Sequence, residues 1–150
     1  MRAQAIGFVL VGLVLMGGNC SRARVESMNE MNAGVELAQM KRFSEAAQSL
    51  EKAAAIDPSN HQAYFNLAIV QIELRSFSAA REALERAIVA KPDAAGYQEK
   101  LGTVLMELED WKAAKKAFSK ALEIDPSLFK AHFKLGRCSE ELEDPQAALY

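Results

Sequence analysis

Residues that could perform catalysis or bind a metal are few and scattered in this chain of 150 residues. The two histidines, His61 and His132, have no cysteine, histidine or carboxylate set at metal-ligand spacing. No serine, histidine and aspartate arrangement suggests a nucleophile, and no glycine-rich segment has the form of a phosphate-binding loop. The sequence therefore names no catalytic residue and predicts a protein that is not an enzyme and has neither a metal nor another cofactor.

The length of the chain corresponds to one domain, and its charge argues against nucleic acid as a partner. Half of the residues are hydrophobic, and the formal net charge is −2. A surface that binds phosphates normally leaves a basic excess, which is absent here. Cys138 aligns with apolar positions of the other repeats defined below, so we interpret it as a small buried hydrophobe.

Three prolines, Pro58, Pro92 and Pro126, are each 34 residues apart, and small residues share this period. The small residues form two columns: Gly34, Ala68, Gly102 and Gly136 in the first, and Ala46, Ala80, Ala114 and Ala148 in the second. A constant period of this length is typical of repeat architectures. The sequence therefore predicts an array of equivalent structural units.

Each unit carries two helical patterns, because apolar residues recur every three to four positions on both sides of a short polar break. A glycine or alanine in each helix allows the two backbones to approach closely. Each proline ends the second helix, since proline disfavours helix in the residue before it. The sequence predicts an all-α fold of antiparallel helix pairs, and the family resemblance described below implies that they form a right-handed solenoid.

The boundaries of these helices are predicted from their capping residues. Ser76, Asp110 and Asp144 are predicted to cap the second helices, because their side-chain oxygens can accept a free amide hydrogen of the following helix. The following first helices are expected to start at Ser59, Asp93 and Ser127. Ser27 and Glu30 have the spacing of a capping box, so we expect the first helix to begin near Met28.

The pattern resembles the tetratricopeptide repeat family, which has a small residue at the eighth place, alanine at the twentieth and twenty-seventh, and proline at the thirty-second. Residues 27–60, 61–94 and 95–128 match this pattern, and 129–150 match part of a fourth repeat. The family's tryptophan at the fourth place is replaced by Glu30, Tyr64, Gln98 and His132. The resemblance implies about three and a half repeats over residues 28–150 and a fold that serves many unrelated functions.

The first 19 residues have the layout of a secretory signal, which we predict for residues 1–19. Arg2 precedes an uncharged apolar run from Ile6 to Met16, which is shorter than the roughly 20 residues of a membrane span. An uncleaved membrane anchor is the alternative. Residues 20–27 are expected to form a tether without apolar periodicity.

Cys20, directly after this segment, resembles the lipid-attachment cysteine of bacterial lipoproteins. The resemblance implies cleavage before Cys20, lipidation of its side chain, and a location at the periplasmic side of a bacterial envelope membrane. Gly17 and Asn19 depart from the leucine-like and small residues expected before that cysteine. Ordinary cleavage after Ala23, giving a soluble secreted chain, is the competing interpretation.

The repeat resemblance also places a binding groove on the concave side, lined by the first helix of each repeat. The candidate partner-binding residues form an apolar and basic set: Phe65, Asn66, Ile69, Glu73, Lys100, Thr103, Lys130, Phe133, Lys134 and Arg137. Such a surface suits an extended peptide or a helix carrying an acidic group. It resembles half of the carboxylate clamp of chaperone-binding family members, whose first-repeat lysine and asparagine are replaced here by Met31 and Val35 or, one repeat later, by Phe65 and Ile69.

These observations give one main functional interpretation and one alternative. The main one is a lipid-anchored scaffold that binds a partner protein during assembly of an envelope complex. In the alternative, the array is the N-terminal regulatory segment of a longer envelope enzyme or secretion-system component.

Overall fold

A computed structural model describes the backbone of residues 7–142 and the side chains of residues 21–142. This part of the chain contains seven α-helices and no strand. The helices are α1 (Gly7–Gln39), α2 (Phe43–Ile56), α3 (His61–Glu73), α4 (Phe77–Ala90), α5 (Ala95–Glu107), α6 (Trp111–Ile124) and α7 (Phe129–Glu141).

The helices pack in sequential pairs that stack on one another. The pairs α1 with α2, α3 with α4, and α5 with α6 make the most extensive contacts, and each second helix also packs against the next first helix. The predicted fold class, an all-α solenoid of helix pairs, is confirmed. Helix α7 is the first helix of a fourth pair, and the expected helix start at Asp144 and the core position Ala148 lie outside the described residues.

The turn inside each pair contains a residue in the left-handed region. Lys41, Arg75 and Glu109 have φ values of 60°, 57° and 59°. In the first turn, the amide of Arg42 donates to the carbonyl of Leu37 and that of Lys41 donates to Ala38, both at 2.9 Å. This is a Schellman motif, which usually has glycine at the left-handed position.

The first helices, which follow the turns between repeats, start one residue later than predicted. The expected starts at Ser59, Asp93 and Ser127 are wrong, because Asn60, Ala94 and Leu128 stand at the N-cap positions. Ser59 instead donates its hydroxyl to the Asp57 carboxylate at 2.6 Å, and Asn60 accepts the amide hydrogen of Ala63. The second-helix starts after Ser76 and Asp110 are confirmed. The Asp110 side chain accepts from the amide of Ala113 as predicted, whereas the Ser76 side chain makes no capping hydrogen bond.

Small residues lie where the paired helices cross, as predicted. Ala46, Ala80 and Ala114 have no exposed surface. A Cβ atom added to Gly34 would lie 2.6 Å from Cγ of Leu50, and one added to Gly102 would lie 2.7 Å from the Phe118 ring. These glycines therefore allow a large buried side chain of the second helix to reach the first helix.

Helix α1 begins earlier than predicted. The expected start near Met28 is wrong, and residues 20–27 continue the helix instead of forming a separate tether. No proline or glycine interrupts residues 19–33. Ser27 is fully buried within α1, and its hydroxyl donates to the carbonyl of Ala53 at 2.7 Å and accepts from the Asn60 side chain at 2.9 Å.

Cys138 is buried without a disulfide, so its interpretation as a small core residue is confirmed. Burial raises the pKa of its thiol, because a thiolate is poorly solvated there. The helices of the described part of the chain lack the combination of length and hydropathy that crossing a membrane requires.

Candidate functional site

The first helices of neighbouring repeats lie against each other, α1 against α3 and α5 against α7, and so line a shared side of the array. A cleft of about 440 Å³ opens between α1 and α3. Its lining is mainly apolar and includes residues from α1, α2, α3 and the first turn: Val35, Ala38, Gln39, Lys41, Phe43, Leu50, Asn66, Ile69, Val70 and Glu73. We call it the α1–α3 cleft.

Three of the predicted binding residues lie in the α1–α3 cleft, namely Asn66, Ile69 and Glu73. Sequence reasoning missed the opposite wall, which is formed by residues of α1 such as Val35 and Ala38. These two residues occupy the places in the first repeat that Ile69 and Ile72 occupy in the second. Applying the same position rule to the first repeat would have identified them.

Phe65, another predicted binding residue, packs against the next repeat. Its ring stacks on Tyr97 with a centroid distance of 4.5 Å and an interplanar angle of 23°. The Tyr97 hydroxyl also lies 2.8 Å from Nδ1 of His61, and burial raises the pKa of this tyrosine. Aromatic stacking of this kind stabilises the contact between α3 and α5. One face of Phe65 is therefore covered by the next repeat.

Lys134 is also engaged within the array. Its Nζ donates to the Glu99 carboxylate at 3.1 Å and to Oγ1 of Thr103 at 2.7 Å. The same ammonium lies 5.8 Å from the centre of the Phe118 ring. These half-buried contacts connect α7 to α5 and α6. The structure thus places the predicted residues Thr103 and Lys134 together, as partners of each other.

The remaining predicted cations have no ion-pair partner among residues 21–142. Lys130 and Arg137 are exposed, and Lys100 is half-buried. Phe133 lies on the same helix as Lys130 and is 70% exposed, a large fraction for an aromatic side chain. The predicted residues therefore fall into three groups. Some line the α1–α3 cleft, some contact a neighbouring repeat, and the rest are residues of α5 and α7 without an ion-pair partner in the described part of the chain.

Within the described residues, no three histidine, cysteine or carboxylate side chains are grouped so that they could hold a metal. Cys20, the predicted lipidation site, lies where the structure describes only the backbone.

Comparison with known proteins defines the family of this fold. Two family models described as tetratricopeptide repeat match residues 37–102 and 95–128. Residues 37–128 of the chain therefore consist of tetratricopeptide repeats. No match is found among curated proteins.

Several solved structures share the fold at low sequence identity. The crystal structure of MamA has a TM-score of 0.79 and 24% identity, over 83% of this chain and 72% of that chain. The first repeat domain of Spaghetti (RPAP3), bound to the HSP90 peptide SRMEEVD, has a TM-score of 0.75 and 22% identity, over 79% of this chain and 94% of that chain. The second repeat domain of human RPAP3, in complex with the HSP70 peptide SGPTIEEVD, has a TM-score of 0.74 and 18% identity, over 78% of this chain and 98% of that chain.

Proposed function

We propose that this protein is a non-enzymatic scaffold that binds a segment of a partner protein along its first helices. The observation that carries the proposal is the α1–α3 cleft, an apolar depression of about 440 Å³ rimmed by Asn66 and Glu73. Apolar pockets with a few polar groups at the rim are typical of binding sites. The two RPAP3 domains, which share the fold, bind peptides.

The proposed partner segment is an extended peptide or a helix with an apolar side chain and an acidic group. The apolar side chain occupies the α1–α3 cleft against Val35 and Ile69. The acidic group pairs with Lys100 or Lys130, which have no carboxylate partner among the described residues. Phe133, largely exposed on α7, adds an aromatic contact at that end. Lys134 contributes less to binding than the sequence suggested, because its ammonium is already bonded to Glu99 and Thr103.

Site-specific crosslinking tests this proposal. A photoreactive amino acid at Glu73, in the cleft, is expected to crosslink one partner protein in intact cells. The matched control is the same amino acid at Lys112, which is exposed on α6. The affinity of the purified chain for that partner is then measured for Ile69→Glu and for the double variant Lys100→Glu with Lys130→Glu. Each is expected to lower the affinity at least tenfold with an unchanged melting temperature. Unchanged affinity in both variants contradicts the groove as the binding site.

We further propose that the protein is exported and anchored to a membrane of the bacterial envelope through a lipid on Cys20, where it serves assembly of an envelope complex. The support for this is the order of Arg2, the apolar run and Cys20 in the sequence. Mass spectrometry of the mature N-terminus tests it. A diacylated or triacylated Cys20 is expected, whereas an unmodified N-terminus at Arg24 contradicts lipid anchoring.

A further inference from the structure

A second cleft lies away from the proposed binding groove, between α4 and α6. It measures about 530 Å³, and α5 forms its floor. Leu101, Leu105, Ala113 and Ala117 supply apolar surface, while Arg81, Glu85, Gln98, Asp110, Lys116 and Lys120 supply polar groups. We call it the α4–α6 cleft. None of the predicted binding residues lines it.

The position of Gln98 explains why this cleft is open. Gln98 is at the fourth place of its repeat, where the family pattern has tryptophan. One repeat earlier that place is held by Tyr64, whose ring packs against the core cluster around α3. A glutamine side chain, with five heavy atoms, cannot fill the volume of an aromatic ring system. The apolar walls of the α4–α6 cleft therefore form a site for an aromatic ring, and Gln98 stands where the family has the residue that would fill it.

The charges at the rim favour an anionic group beside such a ring. Lys116 is exposed and has no ion-pair partner among the described side chains. Nε of Arg81 is buried and makes no hydrogen bond within residues 21–142, although 42% of the side chain is exposed. Arg81 forms an ion pair with Glu85, whose Oε1 lies 3.7 Å from Nε, a distance too long for a hydrogen bond. Asp110 already accepts the amide hydrogen of Ala113.

We propose that the α4–α6 cleft binds an aromatic side chain of a partner polypeptide whose neighbouring residue is acidic. The ring lies on Leu101 and Leu105, in the space that Tyr64 fills one repeat earlier. The carboxylate lies beside Lys116 and the part-exposed side chain of Arg81. This site acts independently of the groove formed by the first helices, so the chain holds one partner on each side or two parts of the same partner.

The test is an NMR titration of the full chain with the peptide acetyl-Trp-Glu-amide, observed at the methyl groups of Leu101 and Leu105. A saturable shift at millimolar peptide is expected. Acetyl-Trp-Gln-amide is expected to bind at least threefold more weakly, and acetyl-Ala-Glu-amide to leave both methyl groups unshifted. The absence of a shift with acetyl-Trp-Glu-amide overturns the proposal, as does equal binding of acetyl-Trp-Gln-amide.

Two variants place the peptide in the cleft. Gln98→Trp restores the family residue and fills the space, so it is expected to abolish the peptide shift while raising the melting temperature. Lys116→Glu, at an exposed position, is expected to weaken binding at least threefold with an unchanged melting temperature. The matched control is Lys112→Glu, one helical turn away and outside the cleft lining, which should bind normally. Undiminished binding by either cleft variant overturns the proposal.

Two further measurements exclude other occupants. Indole-3-acetate carries the same ring and charge without a polypeptide, so tighter binding of this acid than of the peptide overturns a polypeptide as the source. A shift of the Leu101 methyl groups on raising protein concentration alone assigns the cleft to a second copy of the chain and also overturns the proposal. Ile69→Glu, which disables the proposed groove, is expected to leave the peptide titration unchanged, so the two hypotheses fail separately.

Discussion

Ser27 is a polar side chain held in the contact between α1, α2 and the turn before α3. Its hydroxyl bonds at once to the Ala53 carbonyl and to the Asn60 amide, at 2.7 and 2.9 Å. Because these two contacts join three successive elements, one hydroxyl fixes how the first helix pair meets the second. A buried polar group of this kind stabilises a structure only while its partners stay in place.

We expect Ser27→Ala to lower the free energy of unfolding by about 1–3 kcal/mol, since the Asn60 amide then loses its acceptor. The carbonyl of Ala53 keeps the amide hydrogen of Asp57 as a donor, so the loss falls mainly on Asn60. Urea denaturation measures the change. Ser44→Ala, at an exposed position of α2, is the control and should change stability by less than about 0.5 kcal/mol. Equal losses in both variants contradict a role for this hydroxyl.

Gly102 and Gly96 lie on the same helix and test the close crossing of α5 with α6. Gly102→Ala is expected to cost about 1–3 kcal/mol, because the new methyl group meets the fully buried Phe118 ring. Gly96→Ala has no atom within 4 Å of its Cβ and is expected to stabilise the protein by up to about 1 kcal/mol. Thermal unfolding of both variants checks the prediction, and a stabilising Gly102→Ala contradicts the crossing geometry.

At the scale of the helix pair, the common feature is the left-handed residue in each turn. Lys41, Arg75 and Glu109 adopt this conformation although none is glycine. The cost for a residue with a side chain is roughly 1–2 kcal/mol, and the Schellman hydrogen bonds of the turn offset it. The tight turn holds the two helices of a pair antiparallel.

Glu109→Gly is therefore expected to raise the free energy of unfolding by about 0.5–1 kcal/mol, since glycine adopts a positive φ without steric cost. The control is Glu82→Gly, at an exposed position inside α4, which should lower it by about 1 kcal/mol. Chemical denaturation separates the two variants by their midpoints. A destabilising effect of equal size in both contradicts the left-handed turn.

The sequence predicts the helix pairs well and their ends less well, for physical reasons seen at individual residues. The crossing positions follow from the period, because Ala80 and Gly102 are needed wherever two backbones approach. The first-helix starts were wrong by one residue because Asp57 holds Ser59 in the turn, leaving Asn60 to cap α3. The predicted start of α1 was wrong because a serine and a glutamate with the spacing of a capping box also occur inside a continuous helix. The burial of Ser27 distinguishes the continuous helix from a capped start.

The candidate site was predicted only in part, because residue positions do not reveal which side chains satisfy one another. Lys134 and Thr103 both belong to the predicted groove, yet they form a hydrogen bond with each other between the third repeat and the fourth. That contact depends on the twist between repeats, which the period does not specify. Asn66, Ile69 and Glu73 line one cleft because they share one face of a single helix.

At the scale of the whole molecule, two core clusters are joined through Leu101. One cluster extends from α1 to α5, where it includes Val104, the other occupies α5 to α7, and Leu101 packs against both. In a repeat protein each unit contacts only its neighbours, so cooperative unfolding depends on such shared contacts. Leu101 therefore couples the two halves of the array.

Leu101→Ala is expected to cost about 2–5 kcal/mol and also to lower the apparent m-value, because the halves begin to unfold separately. Leu122→Ala, which packs against the second cluster only, is the control and should lower stability with a smaller change in m. Fluorescence of Trp111 and far-ultraviolet circular dichroism, followed in urea, measure both quantities. Coincident transitions with an unchanged m-value in Leu101→Ala contradict the coupling.

The uninterrupted course of α1 has a mechanical consequence. In the mature chain proposed above, cleavage before Cys20 leaves residues 20–39 of α1, a helix about 30 Å long at 1.5 Å per residue, and its carboxyl-terminal part is the first wall of the α1–α3 cleft. We expect a force on the lipid-bearing end of this helix to tilt it and to change the width of the cleft at Val35 and Ala38. Tension on the anchor would then release whatever is bound there.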